Sequence, residues 1–470
     1  MRYKQGEQRD QMQFELLNMD MLIPEGHSCR LIDAFVEGLE MGKLGFKHAV
    51  PKAVGNRPYD PKMLLKLYLY GYQNRIRSSR RLQAESRRNI ELMWLCENQK
   101  PDDKTISNFR HDNTKALKSA FRALCVMCGE LELLGKEVIA VDGSKVRASQ
   151  SKKRVYSRER LHEKMTKIDE RIDEYLRELE QNDLRDRKEK KPDAREVQKA
   201  IEELEKRQAQ YNELLREMED SGESFISETD RDARLMKTGG DGRMSDACYN
   251  AQIAVDGKHG LIVAVEATQD ANDMGKLHSM AQAAKDAMGV ETVSALADTG
   301  YFDGEDIIAA EKAGTVCYVK NHRGGKRPPD DAYGIEHFRY DSAKDCYVCP
   351  ESRELEYRGT HMYSGKRKRV YYDHAACAAC GCRDKCTKGK HRMIRRLPEQ
   401  EILDAVLERT ERQRELYKKR GQIVEHPFGT LKAVWGYRQF LCRGLEKVGA
   451  ELALACSAYN LRRIQTIMAG

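Results

Sequence analysis

Three acidic residues stand where carboxylates do chemistry. Asp142 closes the apolar run Val138-Ile139-Ala140-Val141, and Asp298 follows another, Thr292 to Ala297. Such runs read as buried strands, and sites in α/β proteins gather at the carboxyl ends of strands. Two central, parallel strands would bring the two acids together. A third carboxylate is then wanted from a helix, and Glu425 is the candidate. It lies seven residues before Lys432, so the two share a face of a continuous helix, with Pro427 between them set to kink or restart it. Converging carboxylates repel unless hard cations neutralise them, and carboxylate oxygen is the ligand that Mg2+ prefers, with Mn2+ an alternative. Two ions ~4 Å apart activate an attacking oxygen and stabilise a departing one, which is phosphoryl transfer. Arg420 or Lys432 would contact a phosphate.

A second group of residues could bind metal by sulfur. Six of the 14 cysteines fall in the pattern Cys346-x2-Cys349, then Cys377-x2-Cys380-x-Cys382-x3-Cys386. Thiolates two residues apart chelate one tetrahedral ion, so paired CxxC elements are a zinc signal. Spacing alone selects Cys346, Cys349, Cys377 and Cys380, with His374 and His391 as substitutes. Nothing suggests an open coordination position, so the zinc would be structural. The basic runs Lys366-Arg367-Lys368-Arg369 and His391 to Arg396 could add phosphate contacts. The other eight cysteines read as small apolar packing groups.

The elements that must position these residues begin with helices. To about residue 130 the pattern is helical: Asp60-Pro61 opens a long apolar run to Tyr72, and Pro101 to Ser107 opens another helix. Between them, arginines 75, 77, 80, 81, 87 and 88 stand against one acid, Glu85. Helices joined by short polar turns suit a helix-turn-helix-like DNA-binding module, with Arg75, Arg77, Arg80 and Arg81 on phosphates or in a groove. A helical bundle with a solvated arginine face is the other reading.

After Gly135 strands are expected at Val138 to Asp142, Tyr249 to Val255, Leu261 to Ala267, Thr292 to Ala297 and Thr315 to Val319, with helices at Met274 to Met288 and Asp303 to Ala313. Three strands, then helix and strand alternating, is the order of an α/β ribonuclease-H-like fold with a mixed sheet. Two heptad seams, from Leu161 to Leu179 and from Val197 to Met218, flank a polar connection at Asn182 to Pro192. They predict an antiparallel coiled-coil hairpin inserted between the first and second strands, to dimerise, touch DNA or simply stand alone.

Composition bounds the rest. A chain of 470 residues exceeds one compact core, and 34% charged residues with a net charge of +8 suit a polyanionic partner. No run reaches the ~18 apolar residues of a membrane span, and Met1 to Gln5 lacks a signal peptide's apolar stretch, so a cytoplasmic protein is expected.

Asp142-Gly143-Ser144-Lys145, Asp298-Thr299-Gly300-Tyr301 and the series Tyr417, Arg420, Glu425, Lys432 closely resemble the motifs of the DDE transposases of bacterial insertion sequences, and within them those of insertion-sequence family 1182. Arg57-Pro58-Tyr59, Thr105 to Arg110, Tyr249-Asn250-Ala251-Gln252, Glu425 to Gly429 and Tyr459-Asn460-Leu461 are similar too. The likeness covers nearly the whole chain apart from the coiled-coil insertion. One departure is that four residues, not three, separate Arg420 from Glu425.

The resemblance implies Asp142, Asp298 and Glu425 as ligands of two Mg2+ ions, and Tyr417, Arg420 and Lys432 on DNA. For the zinc it favours Cys349, Cys377, Cys380 and Cys386, with Cys346 the alternative. It implies a helical DNA-binding domain over 1–130 and a catalytic domain over 131–470, interrupted by the coiled coil at 155–220 and a cysteine-rich zinc-binding insertion at 325–396. Partners would be double-stranded DNA, both terminal inverted repeats and target, and a second copy of the chain, a dimer on nucleoid DNA. Two rival readings are a metal-dependent nuclease without strand transfer and a non-catalytic zinc-containing DNA-binding protein.

Overall fold

The computed structural model describes residues 18–51, 57–151, 154–184, 194–238, 244–321, 332–363 and 365–469. The first five residues, most of the polar connection of the hairpin and the expected start of the cysteine-rich insertion at 325 lie outside them.

Six helices come first: α1 (Ser28–Glu37), α2 (Pro61–Gln73), α3 (Ser79–Glu85), α4 (Ile90–Leu95), α5 (Asp103–Asp112) and α6 (Thr114–Glu130). Their starts are written in side chains. Asp60, Asn89 and Asp102 each accept a backbone N–H of the first turn, and Pro61 fills the first position of α2, where a missing donor costs nothing.

The chain then enters a mixed sheet through β1 (Val138–Arg147). Before the next long strand come β2 (Val155–Ser157), α7 (Arg158–Leu184), α8 (Ala194–Ser221), β3 (Phe225–Ser227) and β4 (Arg234–Thr238). The sheet continues with β5 (Met244–Asp256), β6 (Ile262–Thr268), α9 (Leu277–Met288), β7 (Val293–Ala297), α10 (Gly304–Lys312) and β8 (Thr315–Tyr318). Strand order is β4-β5-β1-β7-β8, with β6 also on β5. Strand β5 runs antiparallel to β1, while β7 and β8 run parallel to it. This mixed arrangement is consistent with the expected ribonuclease-H-like core. Strand β4 was not foreseen, and β1 runs five residues past Asp142 because the long β5 goes on pairing with it as far as Arg147.

Helices α7 and α8 pack side by side through Leu161, Ile168, Tyr211, Leu214, Leu215 and Met218, and Tyr156 and Ile226 of the β2–β3 pair close the base. This cluster is separate from the main core.

The cysteine-rich stretch forms a five-stranded antiparallel sheet: β9 (Arg339–Asp341), β10 (Cys346–Val348), β11 (Glu354–Tyr363), β12 (Lys366–Tyr371) and β13 (Ile394–Arg396). Short helices α11 (His374–Ala378) and α12 (Arg383–Cys386) lie between the last two strands. Helices α13 (Gln400–Arg412), α14 (Arg414–Phe428) and α15 (Leu445–Met468) complete the chain.

One hydrophobic cluster runs from Ile23 to Ile464 and takes in α1 to α6, the large sheet and α15. The expected N-terminal and catalytic parts therefore share a core. Asn460 makes that junction specific: its amide donates to Ile262 O at 2.7 Å and accepts from Ile262 N at 2.9 Å, which satisfies the free edge of β6 inside the protein. Leaving such groups unpaired would cost about 1–3 kcal/mol each. Among the described residues no helix is long and apolar enough to cross a membrane.

Candidate active site

The parallel register of β1 and β7 pairs Val141 with Ala297, so the next residues of the two strands, Asp142 and Asp298, emerge side by side. Each acid is aimed by its own motif. Asp142 accepts the N–H of Gly143 at 2.8 Å, and Asp298 accepts that of Gly300 at 2.8 Å as the cap of a short 3-10 turn, Thr299–Tyr301. Burial, opposed by Arg420 and reinforced by Asp298 and Asp273, pushes the Asp142 carboxyl up to about 6.

Helix α14 crosses above. Its Arg420 reaches Asp142 with Nη1 3.5 Å from Oδ2. This arginine, expected on a phosphate, is engaged with the acid itself. Tyr417 lies one turn before it, half-buried, with Lys320 Nζ 5.0 Å from its ring centre. Glu425 is exposed one turn further on, its Oε1 3.2 Å from the place a Cβ on Gly421 would take. Pro427 stays inside α14, so the helix does not restart there. Just beyond it, Gly429–Val434 is π-helical. Lys432, in that π turn, donates to Ser144 Oγ and to Lys145 O. It is therefore turned onto β1, and burial lowers its affinity for its proton.

Sequence reasoning missed Asp273, in the loop between β6 and α9. Its Oδ1 accepts from Asn250 Nδ2 at 2.7 Å and from Gln252 Nε2 at 2.5 Å. A Cβ on Gly143 would overlap both Asp273 Oδ1 and the Gln252 amide, so the glycine after Asp142 is the space this acid occupies. The available signal was in β5: Asn250 and Gln252 are polar residues two apart in the otherwise apolar run from Ala247 to Val255, hence on one face.

The chemistry of these residues fits divalent cations, since Asp298 and Asp273 lie close enough to raise the Asp142 carboxyl and Arg420 stands beside it. Among the described residues no three of the carboxylates of Asp142, Asp273, Asp298 and Glu425 have ligand atoms all within 4.8 Å of one another. The trio of described residues that does meet that distance is His27, Cys29 and Glu91, where the start of α1 meets the start of α4.

Residues 17–112 match the family described as Transposase domain (DUF772), and residues 348–465 match the family described as Transposase DDE domain. Both matched families are transposase families. They support a DNA transposase of the insertion-sequence DDE kind, an enzyme acting on DNA. Tyr417, Arg420, Glu425 and Lys432 fall inside the second match, whereas Asp142 and Asp298 lie between the two. No curated protein and no solved structure matches the chain.

Within the transposase DDE match, Cys349, Cys377, Cys380 and Cys386 line one small cavity under the five-stranded sheet. Cys349 Sγ accepts the N–H of Arg353 at 3.4 Å, the kind of bond that supports a thiolate. Four cysteines around one cavity have the chemistry of a zinc site, and a bound ion would hold α11 and α12 to the sheet, although among the described residues no three of their sulfurs lie within 4.8 Å of one another. Cys346 is buried on β10 and is not part of that lining, nor are Cys382, His374 and His391. All fourteen cysteines are free thiols. The flanking basic runs are partly internal: Lys366 pairs with Asp303 at 2.6 Å, Arg369 with Asp345, and the buried Arg396 with Asp404 at 3.2 Å.

The four arginines expected on DNA, all within the first transposase match, divide. Arg75, Arg80 and Arg81 are exposed. Arg77 turns inward: it donates to Gln439 O at 2.9 Å, lies 3.9 Å from the buried Glu451 and packs over the Tyr437 ring at 4.8 Å. An outer-surface role for Arg77 is thus replaced by a brace between α2 and the segment before α15. Its neighbours are aromatic and anionic, and satisfy it within the core.

Proposed function

We propose that this chain is a DNA transposase of the insertion-sequence family 1182 kind, cleaving transposon ends and joining them to target DNA. Asp142, Asp298 and Glu425 would hold two Mg2+ ions that activate the attacking oxygen and stabilise the departing one. The observation that carries this reading is the side-by-side emergence of Asp142 and Asp298 from parallel strands. Arg420, on α14, pairs with Asp142; a cation held by that acid would take over the charge balance and free the arginine for a phosphate. Lys432, tied to β1, would mark the edge of the DNA path. Exposed Arg75, Arg80 and Arg81 would supply phosphate contacts, and four cysteines a structural zinc.

The test is incubation of the full chain with labelled terminal-repeat DNA and Mg2+, resolving nicked, cleaved and joined products. Cleaved ends covalently joined to target DNA are expected. Cleavage without joining would favour a nuclease, and binding without either would favour a DNA-binding protein.

A further inference from the structure

We propose that Asp273 is a fourth carboxylate of the acidic site, holding a divalent cation together with Asp142 and Asp298. The inference rests on the metal-dependent reading above and adds a ligand to it.

The first support is position. Gly143 stands directly opposite Gln252 in the β1–β5 register, and Gly143 has no side chain, so the carboxylate of Asp273 lies over β1 at the residue next to Asp142. On its other side one point above Gly300 is 3.0 Å from Asp298 Oδ1 and 3.5 Å from Asp273 Oδ2. Both motif glycines are thus places where a Cβ would intrude among the carboxylates.

The second support is how Asp273 is held. Asn250 and Gln252 are 1% and 0% exposed, yet they sit in the middle of the sheet, where uncompensated polar groups are expensive. Both spend an amide N–H on the same oxygen, Oδ1. Tyr301 donates its hydroxyl to Gln252 Oε1, which fixes the amide so that its nitrogen must face Asp273. Among the described residues Oδ2 accepts no hydrogen bond, and it is the oxygen on the Asp298 side. Three separated motifs, at 142–145, 249–252 and 298–301, therefore converge on one carboxylate and leave its outward oxygen free. Three acids with Arg420 beside Asp142 make a site short of positive charge, and carboxylate oxygens select hard cations.

The experiment is calorimetric titration of the full-length protein with Mn2+ in the absence of DNA, paired with thermal melts with and without the ion. Asp273→Asn should weaken Mn2+ binding by about tenfold or more and shrink the metal-induced rise in Tm. Its metal-free Tm should hold or increase, because a like charge has been removed. Asp273→Glu, which keeps the charge, should bind Mn2+ more tightly than Asp273→Asn. Wild-type affinity in Asp273→Asn, with binding lost in Asp142→Asn, would overturn the fourth ligand and leave the proposed site standing. Equal weakening by Asn and Glu, together with a lowered metal-free Tm in both, would make Asp273 a packing residue and overturn the inference. Wild-type protein that binds no Mn2+ would overturn both readings.

Discussion

The hydroxyl of Tyr459 on α15 lies 2.8 Å from Nδ1 of His426, the residue after Glu425, and 3.1 Å from the carbonyl oxygen of Gly260. A carbonyl can only accept, so the hydroxyl gives its proton to Gly260 and takes a hydrogen bond from a protonated Nδ1. Burial keeps that imidazole inclined to the neutral form.

Tyr459→Phe should therefore remove two bonds that hold the Glu425 turn in place. We expect a loss of about 1–2 kcal/mol in stability and a fall of up to about tenfold in cleavage rate. Affinity for DNA should be unchanged. Equal loss of binding and cleavage, measured by gel shift and product gels, would point to a general folding defect.

Metal response should depend on pH through Asp142. Its carboxyl is raised to about 6 in the folded protein from an ordinary value of 3.8, so between those values the folded state holds more protons than the unfolded one. The contribution of this group to metal-free stability therefore falls as pH rises through that window. A cation must displace the same proton, so the rise in Tm produced by Mg2+ should grow from pH 5 to pH 7. A rise of constant size across that range would remove Asp142 from the ligand set, as would a wild-type rise in Asp142→Asn.

Metal analysis of protein purified without chelator should find one zinc per chain. Cys380→Ser should lose the zinc and expose the segment from β9 to β13 to limited proteolysis before the large sheet is attacked. Cys346→Ser should retain the zinc, since Cys346 is turned away from the cavity. Zinc lost from both variants alike would restore Cys346 as a ligand.

The exposed arginines can be separated from the buried one by salt. Arg80→Ala combined with Arg81→Ala should flatten the log–log salt dependence of binding by about two units on transposon-end and random duplexes alike. Arg77→Ala should leave that slope unchanged and instead lower stability by about 2 kcal/mol or more, because it opens the contact with Glu451 and Tyr437. An unchanged slope in the double variant would move the DNA-binding surface elsewhere.

Much of the sheet was legible in the chain because strands buried on both faces must be continuously apolar. The runs beginning at Val138, Tyr249, Leu261, Thr292 and Thr315 correspond to β1, β5, β6, β7 and β8. Strand β4, Arg-Leu-Met-Lys-Thr, has no such run, and the strands from Arg339 to Arg396 are mostly short, so neither declares itself. Asp142 and Asp298 were legible because an acid after an apolar run is conspicuous. Asp273 was not, since it sits among other polar residues in a loop and only the pairing of β1 with β5 reveals what it touches. The inward turn of Arg77 was hidden for a related reason: six arginines in one stretch look alike until the tertiary partners of each are known.

The shared core has a consequence for how such a protein can be rebuilt. Helix α15, from the far end of the chain, packs with α1 to α6 and the sheet in one hydrophobic cluster. The first 130 residues are thus no detachable cartridge. Exchanging them alone for those of a relative with another terminal sequence would take away Gln73 and Arg77, and with them the donors that the carbonyls of Ala458 and Gln439 accept from at 3.2 and 2.9 Å. A working chimera has to import both ends of the polypeptide together and leave the middle in place.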